Sequence, residues 1–124
     1  MIKRRLRAVY GELALYHIGK ERPVKAMQYL GKMESLLPLT VVERAFKATL
    51  FLIMRDFENA RREFEFVVSF TKGCVTEADI YTYLYCKAHL HGMHGDVVQE
   101  GDALARALRI PVQGSVLRWL PLRH

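Results

Sequence analysis

The chain has 124 residues, 51% of them hydrophobic, which is material for one domain with a sizeable core and excludes intrinsic disorder. No apolar run approaches the roughly 18 residues a membrane span requires, so membrane insertion is not expected. The formal net charge of +6 sits at the two ends: residues 8–102 hold 11 basic side chains against 13 acidic ones, so a basic folded face for nucleic acid is not expected either.

The basic excess at the start is Lys3, Arg4, Arg5 and Arg7, and at the end Arg106, Arg109, Arg118 and Arg123. Both groups read as solvated termini, with a basic arm for an acidic partner as the second reading. Glu12 and His17 interrupt the apolar stretch after MIKRRLR, so no secretory signal is expected and the cytoplasm is the expected location. Cys74 and Cys86 form no paired motif and read as reduced thiols.

Taken in order, the apolar spacing is helical nearly everywhere. Leu6, Tyr10, Leu13, Ala14 and His17 form a helical stripe in a first helix near 3–18. GKERP at 19–23 ends it, and Pro23 suits the first turn of a helix at 23–36. LLPLT precedes a capping box, Thr40 with Glu43, that opens a helix at 41–54. Arg55-Asp56 is a tight break before a helix at 57–71. Thr76, with Asp79 three residues on, caps a helix at 77–91, and GMHGD leads into a sixth at 96–109. Strand signals are absent. The expected fold class is all-α.

An internal repeat distinguishes a helical solenoid from a bundle. Ala14 and Ala48 are 34 residues apart, as are Ala26 and Ala60, Leu30 and Phe64, and Met33 and Val67. That is the tetratricopeptide period. Helices approach closely only at small side chains, here Ala14 with Ala26 and Ala48 with Ala60. RDFENARREFEFVV at 55–68 resembles the second half of such a repeat. A third pair is displaced by 40 residues, with Ala88 matching Ala48, and Glu100 or its neighbour Gly101 stands where a small residue is expected. The expectation is one domain over 1–124: three helix pairs near 3–36, 41–71 and 77–109 in a short right-handed solenoid, and a terminal helix at 112–120 capping the last pair.

Chemistry finds little support. There is no phosphate loop, nucleophile elbow or zinc-protease motif, so no enzyme and no cofactor are expected. Cys86, His89, His91 and His94 lie close in sequence, but their spacing does not suit four converging zinc ligands, and no metal site is expected. His91 falls where these repeats carry a core aromatic and reads as packed and hydrogen-bonded.

The first helix of each pair is expected to line a groove. It would present Gly11, Leu15 and Ile18 from the first pair, and Val42, Ala45, Phe46, Thr49, Leu52 and Ile53 from the second. The third would add Thr82, Tyr85, His89 and Met93. Tetratricopeptide domains that grip a C-terminal carboxylate carry Lys, Arg and Asn where this chain has Gly11, Leu15, Phe46, Thr82 and Cys86, so that function is not expected. An apolar groove suits the buried face of an amphipathic helix; the alternative is that part of this stripe is ordinary core, shielded by the tail. Leu52 and Tyr85 are expected to project into it, where a charge would abolish binding and leave the domain folded.

In length and layout the chain resembles the small tetratricopeptide chaperones of type III secretion systems, which hold the needle subunit. The likeness rests on GELALYHIGKERPVKAMQYLGKM at 11–33 and on the stretch from Ile80 to Leu120. It implies a virulence-related cytoplasmic chaperone whose groove clasps the needle subunit's C-terminal helix and prevents premature polymerisation. It also implies a heterodimer with a small helical co-chaperone, seated on Ile2, Leu6, Tyr10, Leu13, Met27 and Leu30. The alternative is a generic tetratricopeptide adaptor for another peptide.

Overall fold

The computed structural model describes residues 2–122, and every regular element among them is an α-helix. The seven helices are α1 (Ile2–Gly19), α2 (Pro23–Leu36), α3 (Val41–Ile53), α4 (Phe57–Thr71), α5 (Glu77–Met93), α6 (Val97–Ala107) and α7 (Gly114–Trp119). The first six fall where the apolar period and the punctuation place them.

Local chemistry explains the boundaries. Pro23 stands in the first turn of α2, where its missing N–H costs nothing. The Thr40 hydroxyl accepts from the Glu43 N–H, and the Glu43 carboxylate accepts from the Thr40 N–H, so both halves of the capping box form. Asp56, Thr76 and Asp96 each accept the N–H three residues on and cap α4, α5 and α6.

α1 packs on α2, α3 on α4 and α5 on α6. The turns inside the three hairpins are copies of one another. Glu21, Arg55 and Gly95 are left-handed, with φ of 58°, 63° and 75°. The next residue donates its N–H back across five residues: Arg22 to His17 O, Asp56 to Phe51 O and Asp96 to His91 O, at 2.8–2.9 Å. This is the αL termination that satisfies a helix's last carbonyls. Only Gly95 adopts that φ without steric strain. The turns repeat at 34 and then 40 residues, the spacing read from the alanines. Successive hairpins join through α2 on α3, α4 on α5 and α3 on α5.

One continuous core runs through all three hairpins. Ala14, Ala26, Ala48 and Ala60 are fully buried in it with Leu30, Met33, Phe64, Val67 and Tyr81, and Ala88 is buried as well. The third hairpin resolves the Glu100/Gly101 ambiguity. Asp96 caps α6 as Asp56 caps α4, so Glu100 is the counterpart of Ala60, and Gly101 faces open space. Room for Glu100 comes from Gly92, where the other hairpins carry Ile18 and Leu52. A methyl group on Gly92 would collide with the Glu100 carboxylate.

Two expectations about the ends are corrected. Arg7 is not a solvated terminal charge. Its guanidinium grips the mostly buried Glu43 carboxylate through both nitrogens and also donates to Pro38 O at 3.0 Å, tying α1 to the α2–α3 connection. Arg118, by contrast, stays solvent-exposed as expected, in a bidentate surface pair with Glu12 at 2.9 and 3.1 Å. The terminal helix α7 packs chiefly on α3 rather than over the last pair.

Candidate functional site

The face shared by α1, α3 and α5 carries a cleft of about 1010 Å³, at the upper end of the range for ligand sites. Leu15, Ile18, Phe46, Thr49, Leu52, Ile53, Tyr85 and His89, all expected in the groove, line it. These residues converge because the same hairpin turn repeats, bringing corresponding positions of three first helices to one side. α6 adds Glu100 and Leu104, and the C-terminal segment adds Arg118, Trp119, Pro121 and Leu122.

Five of the expected groove residues do not line the cleft: Gly11 is buried against the Trp119 ring, and four others are drawn into the core or packed on it. Ala45 and Thr82 are fully buried, and the Thr82 hydroxyl donates to Ala78 O at 2.7 Å. Val42 and Met93 pack as half-buried side chains against the core. Phe46 and Tyr85 reach the cleft wall but are only 4% and 3% exposed, so both belong to the core as well. The Tyr85 hydroxyl lies 2.9 Å from that of Thr49. A charge at Tyr85 would therefore unfold the chain rather than test binding. Leu52 is half-buried and Ile53 is 50% exposed, so on α3 these are the apolar cleft side chains that remain open to solvent.

The C-terminal segment covers part of this face. It crosses the face instead of capping the third hairpin. The Trp119 ring meets Phe46 edge-on at 4.8 Å between centroids and lies against Gly11 of α1, the small residue that admits the indole. Leu120 is fully buried, and its carbonyl accepts a 2.6 Å hydrogen bond from the Tyr81 hydroxyl. Burial pushes that phenol up to about 12, so it remains a donor. Trp119 also lines a smaller cavity of about 480 Å³ toward the N-terminal end of α1 and so divides the face in two. The apolar spacing of Val116, Trp119 and Leu120 signalled a packed helix, but not which surface it covers.

His89 stacks on Phe64 at 5.0 Å and meets Tyr85 edge-on at 4.6 Å. Burial lowers its imidazole to about 4, which keeps it neutral. Burial also pushes the Cys86 thiol up, so that group is an inert part of the core. His91 is half-buried, and its imidazole makes no hydrogen bond among the described residues, contrary to expectation. The described residues contain no group of three His, Cys, Asp or Glu that could hold a metal ion. No helix among them is long and apolar enough to cross a membrane.

On the outer side of α1, Ile2 and Val9 are 82% and 53% exposed and Leu6 is partly open. Tyr10, Leu13 and Met27 are half-buried, with Tyr10 against Tyr29 and the Lys32 ammonium over both rings. Leu30 is fully buried in the core and is withdrawn from the expected co-chaperone contact, because a side chain with no exposed surface has nothing to offer a partner. No family model matches the sequence, and no curated protein or solved structure is significantly similar to it.

Proposed function

We propose that the chain is a tetratricopeptide-type helical repeat that binds an amphipathic helix of a partner protein on its α1/α3/α5 face, and that this partner is a needle subunit of a type III secretion system held unassembled in the cytoplasm. The observation that carries the helix-binding reading is α7. A short helix of the chain itself already lies on Phe46 and Gly11, which supports the reading that this face takes a helix. Beside it the cleft continues along Leu15, Ile18, Leu52 and Leu104. Contiguous apolar surface of this kind marks interaction sites. The three copied turns and the buried alanines support the repeat assignment, which would make this the concave side of a short right-handed solenoid. The chaperone identity rests on the resemblance in length and layout, and the exposed Ile2, Leu6 and Val9 offer a seat for a small helical co-chaperone.

A second reading, an adaptor for another peptide, is favoured by one feature. Trp119 interrupts the face and shortens the available cleft, which suits a brief ligand segment.

Leu52→Asp separates site from core. Half-buried Leu52 tolerates a charge in the free chain, but a partner helix would have to desolvate it. Full burial of one leucine contributes about 1.5–3 kcal/mol, so binding should fall at least tenfold with the helical circular dichroism spectrum unchanged. The partner is identified by mass spectrometry of what co-purifies with the wild-type chain from its host and is absent with Leu52→Asp. A needle subunit supports the chaperone reading, and another ligand supports the adaptor. Undiminished capture of the same partner by Leu52→Asp would move the site off this face.

A further inference from the structure

The third hairpin departs from the other two by a paired exchange that alters the chemistry of the cleft. In the first two hairpins an aliphatic residue on the first helix, Ile18 or Leu52, accompanies an alanine on the second, Ala26 or Ala60. In the third, glycine replaces the aliphatic residue and glutamate replaces the alanine. The Glu100 carboxylate lies over Gly92, in the space a side chain there would fill, and so joins the cleft wall beside Leu104 and His89. A half-buried carboxylate at such a place is solvated in the free chain and loses that water only when a partner covers it. Glu100 forms no ion pair or hydrogen bond through its side chain with any described residue.

The charge pattern of the cleft points the same way. Four charged residues line it: Glu12, Glu21, Glu100 and Arg118. Arg118 pairs with Glu12, which leaves exposed Glu21 and half-buried Glu100 without a cation among the described residues. Covering the wall with an uncharged helix would bury the Glu100 carboxylate unpaired, which carries a large desolvation penalty. A helix that brings its own cation avoids that penalty and gains a charge-assisted hydrogen bond.

We propose that Glu100 is a specificity-determining residue of the cleft: by pairing with a lysine or arginine beside the apolar face of the partner helix, it selects cationic amphipathic helices over neutral or acidic ones. This rests on the helix-binding reading above and names the chemistry of the helix that site takes.

The test uses synthetic helical peptides of one length that share a leucine stripe and a glutamine-rich polar face. They differ at positions flanking the stripe, which carry arginine, glutamine or glutamate. Fluorescence anisotropy measures their binding to the wild-type chain, to Glu100→Gln and to Gly92→Ala. The wild type should bind its best arginine peptide about tenfold tighter than the glutamine peptide, the size of one charged hydrogen bond, and the glutamate peptide most weakly. Glu100→Gln should bind the three alike and keep the affinity for the glutamine peptide. Gly92→Ala removes no ionisable group but pushes the carboxylate aside, and should narrow the preference while the fold melts no lower. Equal binding of the three peptides by the wild type overturns the proposal and leaves the helix-binding site standing. A preference that survives Glu100→Gln overturns it too, since the cation would then be read elsewhere. If no peptide binds at saturating concentration, the helix-binding reading itself fails and the proposal falls with it.

Discussion

His89 shows how a residue type that suggests chemistry becomes part of the packing. Set between Phe64 and Tyr85, its imidazole cannot be solvated as a cation, and burial lowers it to about 4. In the unfolded chain it titrates near 6.5, so between pH 6.5 and 4 the unfolded state binds a proton that the folded state refuses. Stability is therefore fully present above pH 6.5 and declines as the pH falls toward 4, by on the order of 3 kcal/mol for a shift of this size. Urea unfolding of the wild type and His89→Phe at pH 7.5, 6, 5 and 4.5 should show the wild type losing stability faster than the variant across that range. Parallel slopes would mean that the imidazole is solvated. Glu43 titrates in a separate window. Burial opposes its ionisation, but the Arg7 guanidinium and the Thr40 backbone more than compensate and hold it below the usual carboxylate value of 4.5. A folded value below the unfolded one means that its contribution is present above about pH 4.5 and is lost in stronger acid.

At the scale of elements, Glu43 serves two helices. It closes the capping box of α3 and receives the Arg7 guanidinium of α1, a bond across 36 residues. Removing Arg7 leaves a mostly buried carboxylate with only its cap. Arg7→Ala should cost about 3 kcal/mol, the lower end for breaking a buried pair, whereas Thr40→Ala should cost about 1 kcal/mol, a single cap. Denaturant midpoints at neutral pH give both numbers. If Arg7→Ala proves no worse than Thr40→Ala, the pair acts as an exposed one. Local features of this kind divide cleanly by legibility. Thr40 and Glu43 lie three apart in the chain, so their box could be read directly, as could Asp56 before its helix. The partner of Arg7 could not, because nothing near residue 7 indicates that residue 43 lies beside it.

Across the whole molecule, the C-terminal segment changes what the α1/α3/α5 face offers. Leu120 is completely enclosed and hydrogen-bonded through its carbonyl to Tyr81, so Leu120→Ala should cost about 3 kcal/mol, a typical penalty for a cavity at a leucine. Thermal melts measure the loss. A negligible shift would mean that the segment rests loosely on the face and a partner could displace it. The helices, their caps, the three hairpins and the 34-residue spacing were determined by the sequence alone, because apolar period, capping and αL turns act over a few residues and repeat. Which expected groove residues remain available was decided only in three dimensions. Thr82, Ala45 and Tyr85 carry the same periodic signal as Leu52, yet neighbouring helices bury the first three and leave Leu52 half open. The seat of Trp119 on Gly11 joins residues 108 positions apart, and the exchange of Leu52 and Ala60 for Gly92 and Glu100 acquires meaning only when α5 and α6 touch. Periodicity assigns a residue to a face of its own helix. What covers that face is set by long-range packing, which depends on the combined shape of all the helices and has no local signal in the chain.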